Sequence, residues 1–303
     1  MIVDQDAATM TAALERVRQL SAQTGIGVFA HAIDIDSGRG LGVQSDSAVV
    51  TASVFKVPIL LEYARQSDAG ELDAARSLIV DPATVTLGPT GLSVFSDPTT
   101  WSIRDIATSM ITVSDNAATD ILLELVGRDR VNETMSAFGL PGTFLEGDCQ
   151  ALFESMGEDL GVDLEGITAA MDAQPELVPT LRANTPEVTN RTTPRESTRL
   201  LQLLWTDAAG TPAACAEARR ILGLQVWPHR LTSGFPGEVA LSGKTGTIGV
   251  VRNEIGVVEY PDGARYAVAV FLRIPRYRSR APEADALIGA VGRTLVDALR
   301  SDG

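Results

Sequence analysis

The chain has 303 residues, 45% of them hydrophobic, with a formal net charge of −14 at pH 7. That composition supports one large core or two cooperating layers and excludes a disordered polymer. The acidic balance argues against nucleic acid or an anionic membrane as a partner, and no apolar run reaches the roughly 18 residues that a membrane helix needs.

The sequence opens Met1-Ile2-Val3-Asp4-Gln5-Asp6, with two acids where an export signal carries basic residues, so a cytoplasmic protein is expected, or a secreted one if a leader has been removed. Residues 6–22 predict an amphipathic helix through Met10, Leu14, Val17 and Leu20. Alternation from Gly27 to Asp36 predicts a half-buried strand, Ser37-Gly38-Arg39-Gly40 a turn, and Leu41–Val43 a second strand. Helical periodicity returns from Ser53 to about Gln66, with Pro58 tolerated early in it. From about residue 67 to 235 the pattern is almost wholly helical, punctuated by Gly and Pro. Val239–Thr247, Val250–Glu259 and Tyr266–Arg273 predict an antiparallel meander, its last turn marked by Pro261-Asp262-Gly263. Residues 283–300 close the chain as a helix.

Strands at both ends with helices between them imply an α+β fold. Residues 1–66 and 236–303 are expected to form one antiparallel sheet flanked by the terminal helices. Residues 67–235 are expected to form an inserted all-helical domain, with an acidic insertion around 140–180. An active site belongs in the cleft between these two bodies.

Only two of the 25 basic side chains are lysines, Lys56 and Lys244; the other 23 are arginines. Codon bias explains a surface stripped of lysine, but not where the two survivors stand. A buried amine can give up its proton, which a guanidinium does not do. Lys56 closes Ser53-x-x-Lys56, a spacing that puts both side chains on one face, where a desolvated lysine can activate a serine. Read alone, the pair is an N-capping serine and a surface lysine; the apolar run Val57-Pro58-Ile59-Leu60-Leu61 argues for burial instead. Ser114-Asp115-Asn116 falls between two predicted helices and alone reads as a helix cap. Lys244-Thr245-Gly246 opens the C-terminal meander, where a glycine lets a ligand backbone approach closely.

Taken in order, these three motifs resemble the signature of class A β-lactamases and penicillin-binding proteins. Thr192-Thr193-Pro194-Arg195 and the strand that begins Arg252-Asn253-Glu254 agree with it, and the likeness runs from about residue 10 to 300. The resemblance implies that the fold is β-lactamase-like, with Ser53 the acylated nucleophile and Lys56 its proton acceptor. Ser114 would relay a proton to the leaving nitrogen, with Lys244 tuning it. Asn116 would hold the acyl-side amide, and Thr245, Gly246 and Thr247 would line the substrate. The amides of Ser53 and Thr247 would form an oxyanion hole, and Arg252 would meet a substrate carboxylate.

The chain departs from that family in one loop. Family members with rapid turnover carry Glu-x-x-Leu-Asn before the Thr-Thr-Pro segment, the glutamate activating the deacylating water. The nearest match here places Gln174 and Val178 at the two ends, with Glu176 able to substitute only in a rearranged loop. The stretch is also about 25 residues longer than the family usually spends. It holds ten acids and no base between Arg130 and Arg182, which reads as a solvated helical insertion or as a lid that repels anions. Arg273, Arg276, Arg278 and Arg280 read as a solvated loop.

Cys149 and Cys215 lack metal-ligand spacing, neither demand nor exclude a disulfide, and make no zinc pattern with His31 and His229, which read as structural or surface residues. No cofactor or metal is implied. The expectation is a monomeric serine hydrolase that takes a small-molecule lactam, amide or ester to an acyl-enzyme at Ser53 and discharges it weakly. A cytosolic esterase, amidase or acyltransferase of specialised metabolism, and a ligand-binding module without turnover, are the alternatives.

Overall fold

In the computed structural model, which describes residues 2–300, α1 (Ile2–Thr24) leads into β1 (Gly27–Asp34) and β2 (Gly40–Val43). A short β3 (Val49–Val50) precedes a 3-10 turn at Ala52–Phe55 and α2 (Lys56–Asp68). The middle carries β4 (Ser77–Val80), β5 (Thr99–Ser102), α3 (Ile103–Thr112), α4 (Asn116–Val126) and α5 (Arg128–Ala137). It continues with α6 (Cys149–Leu160), α7 (Ile167–Ala173), β6 (Arg191–Thr192), α8 (Pro194–Trp205) and α9 (Pro212–Leu222). The chain ends in β7 (Ala240–Ile248), β8 (Val251–Glu259), β9 (Arg265–Arg273) and α10 (Pro282–Arg300).

Five strands pair in the order β2-β1-β9-β8-β7, antiparallel throughout, so both ends of the chain build one sheet. Strand periodicity explains how that sheet holds two cores. On β9, Ala267, Ala269 and Phe271 face a core shared with α2, α8 and α9, while Val268, Val270 and Leu272 face one shared with α10. Burial on both faces accounts for a β9 that is buried and largely apolar from Tyr266 to Leu272, between arginines at its two ends. Gly263, at φ +90, closes the β8–β9 hairpin, where Pro261-Asp262-Gly263 predicts a turn.

The middle is not all-helical. β4 pairs with β5, and β3 pairs with β6. Ladders of two to four residues are too short to show a strand period, so tertiary contact decides them. Within α2, Val57, Ile59, Leu60 and Leu61 are fully buried, each contributing about 1.5–3 kcal/mol by burial. That burial anchors the helix whose first residue is Lys56. Among the described residues no helix is long and apolar enough to cross a membrane.

Candidate active site

Ser53 lies on the 3-10 turn rather than in the α-helix that its periodicity predicts; α2 begins at Lys56. Side chains three apart eclipse in such a turn, so Ser53 and Lys56 still share a face. The preceding Ala52 is held at φ +44, a left-handed backbone costing on the order of 1–3 kcal/mol for a non-glycine residue. Tertiary contacts enforce it. Asn253 on β8 donates from Nδ2 to the carbonyls of Val50 (2.8 Å) and Thr51 (3.0 Å). A Cβ built on Gly246 would stand 2.6 Å from the Thr51 carbonyl oxygen. The bare face of that glycine therefore admits the Ser53 turn against β7, whereas its sequence pattern points to ligand approach.

Lys56 is completely buried, and its Nζ donates to the Ser114 carbonyl at 2.8 Å, Asn116 Oδ1 at 2.9 Å and Ser114 Oγ at 3.3 Å. Burial lowers its pKa, against the smaller opposing pull of Cys149, Asp115 and Asp120. Among the described residues no direct hydrogen bond joins this amine to Ser53.

Ser114-Asp115-Asn116 bridges α3 and α4. Ser114 is also left-handed, at φ +61, which points its carbonyl at the lysine. Asp115 caps α4 through the Ala118 amide (3.1 Å) and takes the Leu92 amide and Ser109 hydroxyl, both at 2.7 Å. The middle residue of the motif thus fastens the 87–92 segment beside the site, and Asn116 Nδ2 donates to the Leu87 carbonyl at 3.2 Å.

On β7, Lys244 is completely buried and donates to the Thr245 carbonyl at 2.9 Å. Its pKa falls well below the usual lysine range, first through burial, then through the charges of Lys56 and Arg230; Glu254 opposes them. Glu254, pushed up to about 6 by burial, accepts from Gln225 at 2.8 Å and the Leu231 amide at 2.6 Å. Arg252 donates to the carbonyls of Gly249, Val251 and Arg278. Arg230 escapes the sequence reading. Its guanidinium donates to Thr247 Oγ1 at 2.6 Å and to Asp285 at 2.7 Å, leaving the threonine proton available to a ligand. Nothing periodic marks Arg230; only its long reach across 17 residues to Thr247 gives it a role.

The loop expected to position the deacylating water does not reach the site. Gln174 caps α7 and is exposed, Glu176 is exposed, and Val178 is fully buried in the core. Cys149 comes to the site instead, its Sγ 3.6 Å from Asn116 Oδ1, the atom that also accepts from Lys56. Asp120, one helical turn after Asn116, accepts from the amides of Cys149 (2.8 Å) and Gln150 (3.0 Å) and pins the start of α6 there. Burial pushes the Cys149 thiol up to about 12, so it stays protonated at neutral pH. Both cysteines are free. His31 is buried against Thr198, and His229 sits at the rim of the cavity.

These groups converge. Ser53, Ser114, Asn116, Cys149, Thr245, Thr247, Arg230 and Arg252 line one cavity of about 890 Å³; Gln174 and Glu176 are not in its wall.

Comparison with known proteins places this arrangement. The model of the β-lactamase enzyme family matches residues 11–299. The β-lactamase regulatory protein BlaB of Streptomyces cacaoi is 32% identical over 290 residues, 88% of this chain and 91% of that protein. The extended-spectrum β-lactamase PER-1 of Pseudomonas aeruginosa is 26% identical, over 80% of this chain and 72% of its own. Among solved structures, a β-lactamase from Sphaerobacter thermophilus superposes with a TM-score of 0.74 at 24% identity, covering 98% and 97% of the two chains. A mutant of PBP-A, captured as its acyl-enzyme with penicillin G, gives 0.76 at 23% identity, over 96% and 97%.

Proposed function

The chain belongs to the β-lactamase enzyme family, and on that premise we propose that it acylates Ser53 with a lactam or related amide or ester and releases the product slowly. The observation that carries this reading is the buried Lys56 amine, its proton affinity lowered by burial, three residues from Ser53 and bonded to Ser114 and Asn116, which line the cavity with Ser53. A neutral amine there takes the Ser53 proton as Oγ bonds to the substrate carbonyl carbon. The C–N or C–O bond then breaks, and Ser114 hands the leaving atom a proton. Thr247 and Arg230 offer donors to an anionic group on the substrate. Arg252 lines the same cavity but has three backbone carbonyls already on its guanidinium.

Discharge is where the site is weak. A thiol with its pKa near 12 cannot take a proton from water at neutral pH. That same observation favours a second reading, a penicillin-responsive regulator whose signal is the standing acyl-enzyme. The regulatory relative in Streptomyces cacaoi is in keeping with it.

Intact-mass measurement after exposure to penicillin G and p-nitrophenyl esters tests the proposal. The expected result is one adduct per chain, mapped to the Ser53 peptide and absent from Ser53→Ala. Absence of both adduct and turnover with every probe would overturn it.

A further inference from the structure

Two helices of the acidic stretch lay a stripe each along the cavity. On α6 the stripe is Cys149, Leu152, Phe153 and Met156; the second is Leu164, Ile167, Thr168 and Met171, running into α7. Both follow i, i+3, i+4, i+7, the spacing of a single helix face. The first begins at Cys149, which shares the Asn116 Oδ1 acceptor with Lys56, and extends about 10 Å along α6, from the helical rise over seven residues.

We infer that this double stripe is an acyl-arm subsite, and that the substrate class is an amide or ester whose acyl group is uncharged, apolar and extended, such as an aryl-alkyl or medium alkyl chain. The inference rests on the reading of Ser53 as the acylated residue and narrows it.

Three observations carry it. The volume, about 890 Å³, lies near the upper end of ligand cavities, which run from about 300 to 1,000 Å³. A small acyl group would leave most of it wet. Leu152 and Phe153 are only half-buried although each faces an otherwise packed region, so apolar surface stands open at the cavity wall. Met156 and Met171 add flexible thioethers that reshape around varied apolar guests. Charge sets the remaining limit. Glu165 is the one charged side chain that these two helices and their connection bring to the wall, and the surrounding stretch is acidic throughout. An anionic acyl arm is therefore repelled, whereas the cations Arg230 and Arg252 lie with the β7–β8 side.

p-Nitrophenyl esters of acetate, butyrate and octanoate, and the suberate monoester with its terminal carboxylate, test this. Attack by Ser53 Oγ forms the ester bond, Lys56 takes the serine proton, and p-nitrophenolate leaves as the anion. Its burst gives the acylation rate, normalised to each ester's reaction with hydroxide. Each buried methylene should raise that rate about fourfold, so octanoate, six methylenes longer, should exceed acetate by about 10³ when all of them are buried. The suberate monoester should fall at least tenfold below octanoate. Thr168→Trp, which fills the stripe from an exposed position, should cut the octanoate-to-acetate ratio about tenfold. A flat series with Ser53 still acylated overturns this inference and leaves the acylation reading standing. No adduct from any ester or from penicillin G overturns both.

Discussion

Cys149 Sγ lies 3.6 Å from the same Asn116 Oδ1 that accepts a hydrogen bond from Lys56 at 2.9 Å. A thiol that burial keeps protonated therefore shares an acceptor with the lysine amine and lines the same cavity as Ser53. Fixing it there is Asp120, which holds the first two amides of α6.

Replacing Cys149 by Glu should give the acyl-enzyme a base. Penicillin adducts on Ser53 should then clear faster, by tenfold or more, since general-base assistance typically contributes about 10² to 10⁴. Cys149→Ala should leave the adduct lifetime unchanged within about twofold, because a thiol held protonated gives water no base to lose. The paired change Gln174→Glu with Val178→Asn should not shorten the lifetime, as Gln174 is exposed away from the cavity and an amide at the buried Val178 position destabilises the core without reaching Ser53. Time-resolved intact mass reads all three. Faster clearance from the Gln174 pair than from Cys149→Glu would show that the loop rearranges to reach Ser53.

Lys56→Arg keeps a cation but removes the amine that can be neutral. Acylation of Ser53 should fall by about 10² to 10⁴, measured as the burst with a chromogenic cephalosporin. Lys244→Arg should be milder, because a cation and hydrogen-bond donors suffice there. Equal tolerance at both positions would rule out Lys56 as the base.

How legible this site is in the sequence depends on how local each contact is. Ser53 and Lys56 declare themselves three residues apart, and Ser114 and Asn116 within one tripeptide. The C-terminal meander shows because its strands run nine residues with a turn signal between two of them. Cys149 does not show, since its place depends on Asp120, 29 residues earlier and on another helix. The positive φ of Ala52 is equally silent, being imposed from β7 and β8 rather than chosen by alanine. Gln174 and Glu176, singled out by pattern, lie exposed and outside the cavity wall, which local sequence does not reveal either. Pattern matching over a segment that holds α6 and α7 cannot see which residue faces the cavity when distant side chains decide it.

Gly246→Ala should damage both fold and function. Its Cβ would press on the Thr51 carbonyl at 2.6 Å and on Val54 and Ala52 behind it. Backbone cannot yield as a flexible side chain does, so a loss of about 1–3 kcal/mol is expected, visible as a lower denaturation midpoint. Acylation should drop further than stability alone explains, because the displaced turn carries Ser53. A variant with native midpoint and native burst would mean the turn is not seated by this glycine.

The two lysines should also read each other's charge. Both amines are fully buried with lowered pKa, and the charge of Lys56 is among the causes for Lys244. Coulombic repulsion is mutual, so each cation makes the other easier to deprotonate. In the proposed mechanism acylation needs Lys56 neutral, so its rate should rise with pH through the depressed pKa of that amine, then level off. Lys244→Met removes the neighbouring charge, Lys56 holds its proton to higher pH, and the rising limb should move in the alkaline direction. The shift is separable from any fall in the plateau, which reports the lost donor instead. A limb that stays in place would mean Lys244 is already neutral when Lys56 titrates, and a limb moving toward acid would contradict a shared buried field between the two amines.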